Sequence, residues 1–590
     1  MSCDKLVFDL SQEIEGSPNV FVKKDWLNIL DNMNQNYGSN QVVIDTSQLA
    51  NSNKYLNYRE AYLLMPMIMT MSTLTGVFVP TVAATSSDYV MGLKNWFGSI
   101  IHSATLDYNG TTIIQQTPYI NMWNSFRLMT SLSLDDINTQ GATIGFYPDD
   151  PLSWAYSTGG ALNPQGTSNN VNNPANQIEQ ANISTNFNNY ECFLGNVGFV
   201  KRQQYINFDL GGSCGNTTYS TLFPQLACNN LWKSYIFNKV SLGAALGGLI
   251  EFAITATIYL KHIHSFFSMC PLLKGVFMKL TLNLNNTSVN FSIVGTNNAT
   301  SQPPVTLTVS SVSNPVGGVC PFIIASSAAN QGGRNMGGIA NDAVNAAPYI
   351  ATLSVGARCL NSGVTSIAGY ADAPLAKSVY LYVPAYTFNP VFEQAYLSSP
   401  IKQIKYEDVY QYQVLNIASN GQFNNLLTNG IANIKSVLIL PYYSPTGGSG
   451  FATTGGQLPV FQSPYDPAGC GPTSPLCLLS NFNVVVSGQN AIYNTQRYSF
   501  EQFNNQLYGQ NAVNGGMTDG LTSGLFNQLG FEMEYCYYYV NVSRMLPVEE
   551  SVPKSIQIIG SNFGGLPIDL WCFISYGVDV SIDILTGSRV

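Results

Sequence analysis

KSVLILPYYSP (residues 435–445) contains an apolar run that begins at Val437 and meets Pro441, and two tyrosines follow. EAYLLMPMIMTMS (residues 60–72) shows the same pattern around Pro66, at an offset of 375 (441 − 66). Short apolar runs of this kind predict buried strands, and proline is tolerated where a strand bends or leaves its ladder. The repetition suggests that the chain contains two related halves.

The elements that follow each run support the duplication. Each half continues with a strand, a two-residue turn, a second strand and an amphipathic helix. The turns are Asn109-Gly110 and Ser487-Gly488, and the offset between their glycines is 378 (488 − 110). Two different elements therefore share nearly the same register.

The offset falls in two steps further along the chain. It is 281 (532 − 251) between the long predicted strands LIEFAITATIYL and GFEMEYCYYYV, and 190 (570 − 380) between SVYLYVPAY and IDLWCFISY. The first half must therefore carry two insertions, at about 135–235 and 286–375. Because these stretches are rich in Gly, Asn and Ser, we predict long loops that rise from a rigid scaffold.

These registers predict the domain organisation. An N-terminal arm (1–55) precedes a first jelly roll (56–418), a linker (419–433) and a second jelly roll (434–590). KSVLILPYY becomes the first core strand of the second jelly roll. The fold class is all-β, with two tandem eight-stranded jelly rolls, short helices and long inserted loops.

The arm is predicted to contain a short helix. VKKDWLNILDNMNQ places Trp26, Leu27, Leu30 and Met33 at helical spacing, with Asp25 as its N-cap. This helix either docks on a neighbouring molecule or packs on its own subunit.

Composition limits the possible functions. Only 10% of the residues are charged, while 45% are hydrophobic and 12% aromatic, which is typical of a folded, β-rich chain. The net charge is −9 and basic residues are not clustered, so direct nucleic-acid binding is not expected.

Three local features bear on location and redox state. The N-terminus lacks the basic and apolar regions of a secretory signal, so we expect synthesis inside the cell without a signal peptide. Residues 241–260 are long enough to span a membrane, but alternation from Glu251 onward predicts a strand. Of eleven cysteines, only Cys470 and Cys477 share a loop, and whether they pair stays open.

Several stretches carry a family resemblance. NYREAYLLMP, RYSFEQFNNQL, GLTSGLF, YYYVNVSRMLP, PKSIQIIGSN and VDVSIDILTG, in this order, resemble the double jelly-roll major capsid proteins of virophages and polinton-like viruses. The similarity covers both halves and is densest over residues 430–590.

The resemblance implies a structural protein of the virion. Homotrimers would form hexagonal capsomers that tile an icosahedral shell around a double-stranded DNA genome. Neighbouring capsomers, penton proteins and minor capsid proteins would be the partners, and an internal membrane stays an open question.

No motif predicts catalysis, and we expect no catalytic, cofactor-binding or metal-binding residues. His262 and His264 lack an obvious third ligand, which favours ordinary core or interface histidines. The acidic pairs Asp135-Asp136, Asp149-Asp150 and Glu549-Glu550 suit caps and turns better than paired acid catalysts.

Two other function classes stay open. A carbohydrate-binding or adhesin-like β-sandwich protein would share the aromatic residues and the loops, but would normally carry an export signal. A β-sandwich glycosidase would need two carboxylates about 5 to 9.5 Å apart in a cleft.

Overall fold

The chain folds into antiparallel β-sheets with a few short helices in this computed structural model. The structure describes residues 19–33, 37, 39–50, 53–73, 80–82, 89–148, 236–241, 248–274, 277–294, 306–313, 320–326, 337–339, 349–356, 378–444, 451–452, 458–459, 473, 477–492, 498–514, 524–533, 535–543, 552–564, 567–584 and 588–590.

The described residues contain the following strands, in chain order: β1 (Phe21–Leu30), β2 (Gln41–Asp45), β3 (Tyr55–Leu56), β4 (Tyr62–Thr73), β5 (Pro80–Val82), β6 (Tyr89–Leu93), β7 (Ile101–Tyr108), β8 (Thr111–Ile114), β9 (Ile236–Ser241), β10 (Gly248–Tyr259), β11 (Met278–Leu284), β12 (Thr287–Val294), β13 (Thr306–Ser313), β14 (Phe322–Ser326), β15 (Gly337–Ile339), β16 (Tyr349–Val355), β17 (Tyr380–Phe388), β18 (Ile401–Ile417), β19 (Gln422–Ile431), β20 (Ile434–Tyr443), β21 (Phe451–Ala452), β22 (Leu458–Pro459), β23 (Leu479–Val486), β24 (Gln489–Asn490), β25 (Tyr538–Asn541), β26 (Lys554–Asn562) and β27 (Ile568–Asp583).

The helices are α1 (Ser47–Ala50), α2 (Ile120–Ser131), α3 (Leu134–Ile144), α4 (Leu260–Ile263), α5 (Ser265–Met269), α6 (Pro390–Leu397), α7 (Phe500–Asn514) and α8 (Gln528–Met533), with a 3₁₀ turn at Phe97–Ile100.

In each half, eight of the described strands form two sheets, and their order is the same in both halves. In the first half, β1-β17-β4-β10 form one sheet and β2-β11-β7-β8 the other. In the second half, the sheets are β18-β27-β20-β25 and β19-β26-β23-β24. Numbered within its own half, each pair of sheets follows the order 1-8-3-6 and 2-7-4-5, which is that of a jelly roll. The protein is a double jelly roll.

The inward faces of the sheets form the core. Met278, Leu280, Leu282 and Leu284 are buried at every second position of β11, as expected for strands with one face in a core. In the second half, the rings of Phe482 on β23 and Tyr538 on β25, in opposite sheets, lie 5.0 Å apart. Buried side chains of both halves form one continuous cluster.

Both predicted hairpin turns are confirmed. Asn109 and Gly110 have φ values of 48° and 82°, and Ser487 and Gly488 have 47° and 87°. Two consecutive residues with positive φ make the tight turn whose twist matches a hairpin. The helices expected after the second hairpin strands are α2 and α7.

The two prolines lie where ladders change. β4 pairs with β17 as far as Leu64 and with β16 from Met67 onward, and Pro66 stands between these segments. Pro441 lies beyond Ile439, where the pairing of β20 with β25 ends. The runs occupy different sheets, as the duplication requires, but each is the third strand of its half. The prediction that KSVLILPYY begins the second jelly roll is wrong.

The predicted linker and domain boundary are also wrong. Residues 419–433 contain the strand β19, which pairs with β26, and β18 before it pairs with β27. Both strands therefore belong to the second jelly roll, and the connection between the halves is residues 389–400, which contain α6. β18 was assigned to the wrong half because its partner strand lies near the far end of the chain.

The predicted helix of the N-terminal arm is wrong for a related reason. VKKDWLNIL lies in β1, the first strand of the first jelly roll, and it pairs with β17 from Phe21 to Leu30. Asp25 caps no helix, and its carboxylate instead contacts Lys54 Nζ at 2.6 Å and Lys23 Nζ at 3.1 Å. The starts of β1 and β18 have an offset of 380 (401 − 21), close to that of the hairpin turns.

The insertions contain more regular structure than predicted. In the second insertion, β12, β13 and β16 extend the sheet of β4, so the loop interpretation is wrong for these residues. β14 and β15 join β5 and β6 in a separate four-stranded sheet. In the first insertion, α3 and the start of residues 135–235 are described, while residues 149–235 lie outside the described chain.

One predicted strand is shorter than expected. GFEMEYCYYYV does not run as a single strand, because α8 occupies its first residues and β25 begins only at Tyr538. By contrast, the apolar segment proposed as a strand in the first half is β10 from Gly248 to Tyr259. No helix among the described residues has the length and hydropathy to cross a membrane.

Gly488→Ala tests the second hairpin. A Cβ there would meet nothing within 4 Å, so its cost is that of placing alanine at a φ of 87°. We expect the free energy of unfolding to fall by about 1 kcal/mol, measured by urea denaturation. Gly430→Ala is the matched control, because its Cβ would also meet nothing within 4 Å and no positive φ is required. Equal effects of the two substitutions would contradict the turn geometry.

Candidate interaction surface

The two singled-out histidines have different surroundings. His264 is buried, and its Nε2 lies 3.3 Å from Asp408 Oδ1. The Phe266 N–H donates to His264 Nδ1, so the proton of the neutral ring is on Nε2 and points at Asp408. His262 faces Tyr259 and Trp96, with ring centroids 5.7 and 6.3 Å away. The two rings do not face a common point, so they do not form a metal site together.

The described acidic pair has a structural role. Ser133 Oγ accepts from the Asp136 N–H, and Asp136 Oδ2 accepts from the Ser133 N–H at 2.9 Å, which is a capping box at the start of α3. These hydrogen bonds lower the pKa of Asp136. Asp135 lies in the same first turn, where negative charge favours the helix dipole.

The other sequence candidates lie outside the described residues: Asp149-Asp150, Glu549-Glu550 and Cys470. The pairing of Cys470 with Cys477 therefore stays a prediction. Within the described part of the chain, no three His, Cys, Asp or Glu side chains are grouped closely enough to hold a metal ion.

α2 of the first half packs on the outward face of the second half. Tyr119 contacts Trp571 with ring centroids 4.3 Å apart, and Phe126 stacks on Tyr539 at 5.6 Å. Trp571 and Tyr539 belong to β27 and β25, so α2 crosses the sheet β18-β27-β20-β25 on the side away from the second core. We call this contact the internal junction.

Hydrogen bonds fix the register of the internal junction. The Tyr406 hydroxyl donates to the Ile113 carbonyl at 2.9 Å, and Thr117 Oγ1 donates to the Val409 carbonyl at 2.8 Å. Ser265 Oγ accepts from the Glu407 N–H at 3.1 Å. With His264 and Asp408, these contacts join one segment of β18, residues 406–409, to two segments of the first half, residues 113–117 and 264–265. Burial raises the pKa of Glu407, while Arg127 and Lys435 act in the opposite direction.

The equivalent outward face of the first half carries exposed aromatic rings. Tyr62 on β4 is the centre of the group, with ring centroids 5.2 Å from Tyr382, 5.7 Å from Trp26 and 5.7 Å from Tyr259. Tyr380 lies next to Tyr382. We call these five residues the aromatic face. Trp26 is 51% exposed, and the four tyrosines are only partly buried.

The backbone registers explain why the rings align. Tyr62 is directly opposite Tyr382 on one side and Tyr259 on the other. Side chains directly opposite each other on neighbouring antiparallel strands lie close together on one face of the sheet. The aromatic face therefore crosses β10, β4, β17 and β1, which is the sheet equivalent to the one that α2 covers.

Sequence reasoning missed the aromatic face. A signal was available in SVYLYVPAY, where Tyr380 and Tyr382 alternate with buried Leu381 and Val383. Tyrosine at every second position, on the side away from the core, predicts a polar-aromatic outer surface.

Comparison with known proteins gives structural similarities alone. No protein-family model and no curated protein matches the chain. A structure of the Sputnik virophage is similar over 98% of this chain and 90% of that chain, at 11% identity and a TM-score of 0.45. The mavirus major capsid protein matches over 99% of this chain and 92% of its own, at 9% identity and a TM-score of 0.45. The Faustovirus major capsid protein matches over 98% and 94%, at 7% identity and a TM-score of 0.39. The double jelly roll described above is assigned from the strand order of the chain itself.

His264→Leu tests the internal junction. Asp408 is 3% exposed, so loss of its imidazole partner leaves a buried carboxylate with one hydrogen bond fewer. We expect the free energy of unfolding to fall by about 1–3 kcal/mol, measured by urea denaturation. Lys405→Met on the same strand is the control, because its 3.8 Å contact with Asp579 is exposed and should contribute less than about 1 kcal/mol. If His264→Leu lowers the free energy of unfolding no more than Lys405→Met does, a stabilising role for His264 is excluded.

Proposed function

We propose that this protein is a major capsid protein of a virophage or polinton-like virus and that three copies form a pseudo-hexagonal capsomer. The observation that carries the proposal is the double jelly roll itself, with one strand order in both halves. The sequence resemblance described above has the same implication. Such a protein acts as a structural component of the virion, without an enzymatic role.

Duplication suits a hexagonal tile. Three chains with two similar sandwiches each place six similar units around a threefold axis. Six neighbours can then be contacted with threefold symmetry alone. The strand order is common to both halves, whereas the inserted strands β12–β16 occur in the first half, so the units can be alike at the base and differ elsewhere.

The two outward faces support a ring closed by contacts between chains. On the second half, the internal junction covers this face with the aromatic side chains of α2. On the first half, the aromatic face presents tyrosine and tryptophan at the equivalent position and is partly exposed. Tyr and Trp are enriched where proteins associate. A second copy that covers the aromatic face would repeat between chains the contact that α2 makes within one.

Edge strands add apolar surface to the same region. β1 is at the edge of its sheet, and Val22 and Leu30 are 69% and 43% exposed. β18 is at the equivalent edge of the second half and exposes Ile401 and Leu415. A solvated edge strand with apolar side chains favours pairing with another chain unless an assembly covers it.

The proposed partners are other capsid subunits. Capsomers would contact neighbouring capsomers, and penton and minor capsid proteins would complete the shell around the double-stranded DNA genome. With a net charge of −9, the chain would enclose the genome without binding it directly. The proposed location is the capsid of the virion.

The aromatic face also suits a second candidate function. Exposed Trp and Tyr rings on a sheet can stack on sugars, as a carbohydrate-binding or adhesin-like sandwich would require. Glycan binding by a protein that stays monomeric would favour this alternative.

Trp26→Asp tests the proposed capsomer. Mass measurement of the native protein should give a trimer, and electron microscopy should show hexagonal particles or arrays. A carboxylate within a desolvated aromatic contact should shift the variant toward monomers. Its urea denaturation as a monomer should be unchanged, because Trp26 is 51% exposed within one chain.

Leu134→Asp is the matched control. Leu134 is 67% exposed at the start of α3 and is not one of the five residues of the aromatic face, so the same charge should leave the trimer intact. A wild-type protein that is monomeric at micromolar concentration, or a Trp26→Asp protein that remains trimeric, would contradict the proposal.

A further inference from the structure

A cavity of about 240 Å³ lies between α2 and the short helices α4 and α5. Asn124, Arg127 and Ser131 line it from α2, Lys261 and His262 from α4, and Ser268 from α5. No carboxylate is among the lining residues in the described part of the chain. The cavity is therefore polar and basic.

The positive charge in this cavity is only partly compensated. Arg127 is close enough to Glu407 to lower the pKa of that carboxyl. Lys261 is exposed, and its Nζ lies 5.5 Å from the centre of the Tyr259 ring. Among the described residues, no carboxylate forms an ion pair with Lys261 Nζ. An anion in the cavity would balance the charge of Lys261, which no carboxylate of the described residues balances.

The imidazole of His262 is affected by the same positive charges. Burial, together with the charges of Lys261 and Arg127, lowers the pKa of its imidazole to about 3. His262 Nδ1 and Asn124 Oδ1 are buried and have no hydrogen-bond partner in the described part of the chain. Buried polar atoms normally have such partners, so these two atoms are available to a ligand. Asn124 Oδ1 can only accept, as from the O–H of a protonated phosphate, whereas His262 Nδ1 donates to an oxyanion when the neutral ring carries its proton there.

We propose that this cavity binds a small oxyanion, with phosphate as the simplest example. Lys261 and Arg127 supply positive charge, and the hydroxyls of Ser131 and Ser268 supply neutral donors. The volume is below the range of about 300–1,000 Å³ typical of sites for drug-sized ligands, so it suits a group with few heavy atoms. The site is independent of the trimer and can be tested in protein of any oligomeric state.

The test is a calorimetric titration of the full-length protein with inorganic phosphate, in chloride at constant ionic strength. We expect saturable binding of one phosphate per chain. Lys261→Met should weaken it by about tenfold, the loss that corresponds to one charged hydrogen bond. Lys279→Met is the matched control, because Lys279 is an exposed lysine of β11 that does not line the cavity. The phosphate affinity of this variant should be unchanged. Acetate and sulfate titrations show whether one or several oxyanions are accepted.

A second measurement tests whether the bound phosphate lies in this cavity. Negative charge in the cavity favours the protonated imidazole, so the pKa of His262 should rise from about 3 when phosphate is bound. NMR of labelled histidine can follow this, because the chain has three histidines and His262→Gln assigns the signal.

Several outcomes would overturn the proposal. These are heats that do not saturate, equal weakening by Lys261→Met and Lys279→Met, and saturable binding without a rise in the pKa of His262. Binding to separated chains that disappears on assembly would also overturn it, because a group of the neighbouring chain would then fill the cavity.

Discussion

Pairing of the first strand of each half with its last is the constraint on which the architecture depends. β1 pairs with β17 and β18 with β27, so each jelly roll is completed only when distant segments meet. The entropy of closing such loops grows slowly with their length, which is why the first half tolerates two large insertions between its later strands. Backbone pairing of β18 with β27 runs from Ile401 to Ile417, almost the full strand. Completion of the sandwich therefore relies on the longest ladder of the second half.

The same strand order gives the two halves different outer environments. Trp571 on β27 is buried beneath α2 together with Phe573, whereas Tyr380 and Tyr382 on the equivalent strand β17 keep contact with solvent. The outward side chains of the two last strands match these environments. Tyrosine suits the solvated strand β17, because it can keep its hydroxyl in water while its ring packs on the sheet. His264 and Asp408 add a polar contact at the edge of the internal junction. This contact fixes the relative orientation of the two halves as well as stabilising their association.

The middle and last strands of each half could be predicted from the sequence, whereas the first two could not. Apolar runs such as VLILPYY and glycine turns such as Asn109-Gly110 carry local signals that tertiary contacts do not override. β1 lies at an edge with one solvated face, and Trp26, Leu27 and Leu30 happen to fall at helical spacing. Backbone pairing with β17 along the whole of β1 outweighs that weak local preference. β18 was assigned to the first half and β19 to the linker because pairing partners far away in the chain leave no mark in the local sequence. The cavity was beyond prediction for the same reason, since α2 and α4 meet only through the fold.

The extra sheet of the first half has a consequence for how such a molecule can vary. In an antiparallel sandwich, connections that leave odd-numbered strands emerge at one end. β5 and β6 belong to the connection between the third and fourth strands, β14 and β15 to that between the seventh and eighth, and these four strands meet in one sheet. The two connections that supply this sheet therefore lie at one end of the first sandwich. Sequence changes in these connections can therefore alter that end of the molecule without altering the strand pairing within the two sandwiches.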